Sequence, residues 1–177
     1  MLLVLLGLFF QLTGNGQQPD NDLRSLRWGM TSKEVQTAEL SGPYRVTDTT
    51  LLYRQRWFYD FPASVKFAFV KDQLAGALYI LTDRHIRAQQ HWDDYQAIIK
   101  ILTDRYGPPS GDYLTWNYPL YKDRPDHYGD AVLLSHLSRS CIWETARTVI
   151  TLEMSGKPKE GIYTVISYAK KNDNESK

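Results

Sequence analysis

Apolar and polar positions alternate along this chain in two distinct periods. In Leu51-Leu-Tyr53-Arg-Gln-Arg-Trp57-Phe-Tyr59, positions 51, 53, 57 and 59 are apolar or aromatic and alternate with Arg54 and Arg56, as in a strand with one covered face. Val65, Phe67 and Phe69 alternate likewise across Lys66 and Ala68. Lys71-Asp72-Gln73 separates that strand from Leu74–Leu81, and a tight hairpin is predicted. The period then changes. Trp92, Tyr95, Ile99, Leu102 and Tyr106 recur three and four residues apart, Ile98 widens the stripe, and Asp93, Asp94, Gln96, Lys100 and Arg105 fill the other face. This is an amphipathic helix laid across a sheet, with the acids near its start and Arg105 near its end matching the macrodipole. Gly107-Pro108-Pro109 stops it.

A shorter helix, from about Ser32 to Leu40, is marked by its ends. Thr31 and Glu34 have capping-box spacing, in which hydroxyl and carboxylate satisfy amides that a helix start leaves unpaired. Ser41-Gly42-Pro43 closes the helix. Later segments are less periodic. Tyr113–Tyr118 suits a strand, Tyr121–Gly129 is polar and turn-rich, and Ala131–Leu137 fits a short helix or a buried strand equally well. Cys141–Thr145, Val149–Met154 and Ile162–Tyr168 suit strands, with Gly156–Gly161 as the loop between the last two. The order is helix, three strands, helix, one strand and three more. It predicts an α+β fold: an antiparallel sheet with helices packed on one face, and a pseudo-duplicated α-β-β-β unit.

The ends differ from this interior. Met1–Leu12 is almost wholly apolar and gives way to a polar stretch at Thr13. The run is too short for a bilayer span, which needs roughly 20 apolar residues, and it fits the apolar region of a signal peptide with a cut after Gly16. No basic residue precedes it. The expected organisation is a signal peptide over 1–16, a single α+β domain over 17–169 and a flexible charged tail over 170–177. Export to the periplasm or extracellular space follows, with no transmembrane span in the mature chain. The 21 Lys and Arg against 20 Asp and Glu give a net charge of +1 without a basic block, so no nucleic-acid partner is implied. Cys141 is the only cysteine, which excludes an internal disulfide, and it reads as a buried small hydrophobe.

Phosphate-loop, nucleophile-elbow and paired metal-ligand signatures are all missing, so no catalytic residue, metal or cofactor is assigned. Asp83, His85, His91, Asp93 and Asp94 gather ligand-type side chains near the second helix. On one helix, however, His85 and His91 would lie about 120° apart around the axis, and the stretch reads as a solvated helix start. Asp123–Asp130 groups carboxylates with His127, which an acid–base site would use and a polar loop would equally contain. Tyr53, Trp57 and Tyr59, with Trp116, Tyr118 or Trp143, line either core or a ligand groove, and cross-strand aromatic pairing favours core. As a groove, its candidate ligand contacts are Tyr53, Trp57, Tyr59, Trp116 and His127.

Trp28-Gly29-Met30-Thr31-Ser-Lys-Glu34-Val35, followed by a helix ending Tyr106-Gly107-Pro108, resembles a pattern in small exported, uncharacterised bacterial envelope proteins. It is also faintly similar to the BamE-type outer-membrane assembly lipoproteins, in which a Gly-Met-Thr-x-x-x-Val helix start precedes a Gly-x-Pro stop. The chain departs from that family in lacking a lipid-bearing cysteine. The resemblance implies an envelope address and a scaffold role, and it carries over no functional residue. The functional expectation is an exported binding or interaction module without catalytic machinery, whose partner is an envelope protein or a small ligand. The alternative is a ligand-binding or hydrolytic domain with a pocket between the aromatic sheet face and the Asp126–Asp130 loop.

Overall fold

The computed structural model describes residues 22–171. The predicted signal peptide, its cleavage point and most of the predicted tail lie outside the described residues. An N-terminal strap leads into α1 (Ser32–Ala38), followed by β1 (Arg45–Val46), β2 (Thr50–Phe58), β3 (Phe61–Val70) and β4 (Gln73–Leu81). Then come α2 (Ala88–Tyr106), β5 (Gly111–Trp116), a 3-10 turn (Pro125–His127), α3 (Tyr128–Leu133), β6 (Leu137–Glu144), β7 (Thr148–Lys157) and β8 (Gly161–Lys170). The eight strands among the described residues form one antiparallel sheet in the order β1-β2-β3-β4-β8-β7-β6-β5. Two four-strand meanders, each preceded by a helix, therefore meet along β4 and β8. The α+β expectation holds, and the repeated unit carries one strand more than the expected α-β-β-β.

Register explains the core. Tyr53, Val65, Tyr79, Ile166, Leu152 and Cys141 are successive partners across the sheet, and Leu51, Phe67, Ala77, Tyr168, Ile150 and Trp143 form the adjacent row. Every one is buried. The residues between them, such as Lys66, Leu78, Ser167 and Thr151, face the other way and stay accessible. The helices cover the first face. Trp92, Tyr95, Ile98 and Leu102 are buried on α2, with Ile99 and Tyr106 partly so. Tyr95 Oη donates to the Leu152 carbonyl at 3.1 Å, and Trp143 Nε1 donates to the Gly107 carbonyl at 3.1 Å. The strap joins the same layer, where Trp28 Nε1 donates to Thr148 Oγ1 at 2.9 Å.

Both halves of the predicted capping box form. Thr31 N donates to Glu34 Oε2 at 2.7 Å and Glu34 N to Thr31 Oγ1 at 3.3 Å. Three local readings change. First, β2 carries a bulge between Tyr53 and Arg56, with Gln55 at φ 53. The extra residue inverts the alternation, so Trp57 no longer shares a face with Tyr53, and Phe58 takes the buried position. Second, the segment beyond Tyr128 uses both of its permitted structures: α3 comes first, Ser135 turns at φ 59, and β6 starts at Leu137. Third, Gly156 belongs to β7 rather than to a loop. A Cβ there would collide with the Val132 carbonyl, so the absent side chain is what lets α3 lie against the strand. Gly129 likewise lets α3 approach the backbone of Ala88 and Gln89 at the start of α2. No helix among the described residues is long and apolar enough to cross a membrane.

Candidate functional site

A cavity of about 330 Å³ opens where four segments converge. The strap supplies Leu23 and Arg24, the end of β2 supplies Trp57 and Phe58 with Tyr59 following, the last turn of α2 supplies Arg105 and Tyr106, and β8 supplies Tyr168. Amphipathic periodicity places the Arg105–Tyr106 pair at the edge of the α2 stripe, with Tyr106 packed inward and the guanidinium beside it. Tyr59 is held in the left-handed region at φ 52 in the β2–β3 hairpin, a conformation unusual for an aromatic residue. This bend brings its hydroxyl to 3.2 Å from Arg105 Nη1, which donates to it.

The charge around the cavity is unbalanced. Glu39, nearly enclosed, sits 3.7 Å from Arg24 and 3.5 Å from Arg56, so one carboxylate serves two guanidiniums. Arg24 also reaches the Tyr79 hydroxyl at 3.4 Å. Arg105 forms no ion pair with a carboxylate among the described residues; its guanidinium carbon lies 5.5 Å from the Tyr106 ring centroid, and the Tyr168 phenol also acts on it. Burial pushes the Tyr168 phenol well above its ordinary range, reinforced by Tyr106, and burial likewise raises Tyr106 against the pull of Arg105. Both phenols therefore remain hydrogen-bond donors at neutral pH. Guanidiniums, phenolic donors and aromatic walls together suit an anion carried on a flat, apolar body.

The sequence-predicted contacts separate in space. Trp57 and Tyr59 border the cavity, whereas Tyr53 is fully buried in the sheet core. Five strands lie between β2 and β5, which is about 29 Å across a flat sheet. On that far side Trp116 packs edge-on to Tyr128 at 5.2 Å, and Tyr128 packs on Trp92 at 5.2 Å, so Trp116 joins the contact between β5, α3 and α2. His127 stacks on Tyr121 at 5.2 Å, its Nδ1 lies 2.8 Å from Asp130, and its Nε2 lies beside Arg124 and 3.2 Å from Asp126. The Asp126–Asp130 loop does not border this cavity. Arg24, Arg105, Tyr106 and Tyr168 were missed as site residues. Arg105 adjoining an inward-facing Tyr106 is a weak signal in the sequence, and Arg24 gives none.

At the opposite end of α2 the geometry differs from the helical reading of His85. The helix starts at Ala88, so His85 belongs to the preceding loop. Its ring folds back to 4.7 Å from that of His91, and its Nε2 lies 2.6 Å from Asp94 Oδ2. The acids lie beyond the first turn, so Asp94 acts through His85 rather than through the helix dipole, which fades within one turn. Burial, followed by the charge of His85, holds the His91 imidazole below its ordinary range.

Cys141 is buried as expected, lying 3.4 Å from Asp112 and 3.8 Å from Tyr95 Oη. Burial pushes its thiol up, so it is no ready nucleophile. Comparison with protein-family models, curated proteins and solved structures finds no match to this chain.

Proposed function

We propose that this chain is an exported binding module that captures a small anionic ligand with an aromatic or similarly flat body. The observation that carries the reading is Arg105: a guanidinium on the wall of an aromatic cavity, held by the Tyr59 hydroxyl, with no carboxylate paired to it among the described residues. Such a group has unfilled donors in the fixed fork that suits carboxylates and phosphates. Arg24 adds a second positive group on the strap side. The cavity volume is near the lower end of the range for small-molecule sites, so the ligand is compact. Binding is proposed without catalysis, because the converging groups are permanent cations and high-pKa phenols rather than an acid–base pair. Export rests on the apolar leader pattern, supported by the resemblance to envelope proteins.

Calorimetric titration with benzoate and with benzamide tests the ligand class. Benzoate is expected to bind more tightly, and Arg105→Met to weaken it by about 10- to 100-fold, the value of a charged hydrogen bond. Equal binding of both probes, or benzoate affinity untouched by Arg105→Met, overturns the assignment. Intact mass of protein recovered from its native cells tests export: a chain starting at or near Gln17 is expected, and retention of Met1 on cytoplasmic protein refutes it.

A further inference from the structure

We propose that Asp83, His85 and Asp94 bind a divalent transition-metal ion of the zinc class, at the end of α2 remote from the aromatic cavity. One ligand atom from each of the three side chains lies within 4.8 Å of the others. Bonds of roughly 2.0–2.2 Å in a tetrahedral shell place two ligands of one ion about 3.3–3.6 Å apart. Movement of the 82–87 loop by about 1–1.5 Å closes the difference. Asp94 is fixed on the second turn of a 19-residue helix, while Asp83 and His85 lie on the flanking loop. The site thus has one rigid donor and two that can adjust.

The hydrogen bond between His85 Nε2 and Asp94 Oδ2 at 2.6 Å already brings an imidazole nitrogen and a carboxylate oxygen together. A proton shared there leaves when an ion takes its place. A plain loop clip would need only this pair, whereas Asp83 brings a second carboxylate into reach. An imidazole with two carboxylates selects Zn2+, Co2+ or Ni2+ over Mg2+ and Ca2+, which prefer all-oxygen shells. Asp94 and Arg105 are about 16 Å apart along the helix axis, so an ion here does not touch the anion cavity, and each site can fail without the other.

The test is calorimetric titration of the full chain with ZnCl2, with CoCl2 added separately to read the visible spectrum of the bound ion. One equivalent is expected to bind. His85→Ala, Asp94→Asn and Asp83→Asn are each expected to weaken it at least about tenfold, while His127→Ala leaves it unchanged. Asp83 is exposed, so Asp83→Asn decides the matter if either other variant fails to fold. No saturable binding at millimolar Zn2+, binding that survives all three substitutions, loss of binding in His127→Ala, or equal affinity for Mg2+ overturns the proposal.

Discussion

Both candidate sites hang on α2, so the seating of that helix is the first thing to perturb. Leu102 is fully buried beneath it, one turn before Tyr106. Leu102→Ala removes three carbons, worth about 2.4 kcal/mol at roughly 0.8 kcal/mol for each buried methylene. The residual cavity adds to this, and about 3–4 kcal/mol of destabilisation is expected, inside the range of about 2–5 kcal/mol for such truncations. Ile98, equally buried, should behave alike. Ile99 is only partly covered and should cost about half as much. Lys100 is exposed and paired with Asp104 at 2.6 Å, so Lys100→Ala should cost no more than about 0.5 kcal/mol. Urea unfolding followed by far-UV circular dichroism measures the series, and unchanged m-values confirm a common unfolded state. Ile99→Ala costing as much as Leu102→Ala, or Leu102→Ala costing under about 1 kcal/mol, would refute the seating and with it the placement of Arg105 and Asp94.

Hydrogen bonds from Arg139 at 3.0 and 2.8 Å hold the Asp112 carboxyl below its ordinary range, against the opposing effect of burial. A lowered folded pKa contributes stability above the unfolded value and loses it as pH falls through the folded one. The stability gap between wild type and Asp112→Asn should therefore be widest near pH 6 and shrink below about pH 4 in acid titrations followed by circular dichroism. Cys141 should react slowly with a thiol reagent in the native protein and fully in denaturant; fast native labelling would contradict its enclosure. Gly156→Ala should lower the melting temperature by several degrees, about 2–4 °C for each kcal/mol lost at this size, because its methyl meets the Val132 carbonyl. A neutral result would show that α3 is not packed on β7.

The elements whose signals lie within one or two turns of chain were legible in the sequence. The Thr31–Glu34 capping box, the α2 stripe ending at Gly107 and the hairpin at Lys71-Asp72 are set by side chains that meet their own neighbours, so spacing alone predicts them. The helix–sheet order also foretold a doubled architecture, because each amphipathic helix needs a sheet face to cover it. Pairing across distance was not legible. The β4–β8 junction depends on which edges meet, and one unforeseen bulge at Gln55 was enough to turn Trp57 away from Tyr53. Gly129 and Gly156 read as turn residues until α3 was seen to need their missing side chains. The aromatic cavity joins residues as far apart as Leu23 and Tyr168, and the fold-back of His85 onto Asp94 required knowing that the helix starts at Ala88. Local hydrogen bonding and periodicity are properties of a short segment, whereas a site is a meeting of segments, and only packing of the whole chain decides which of them meet.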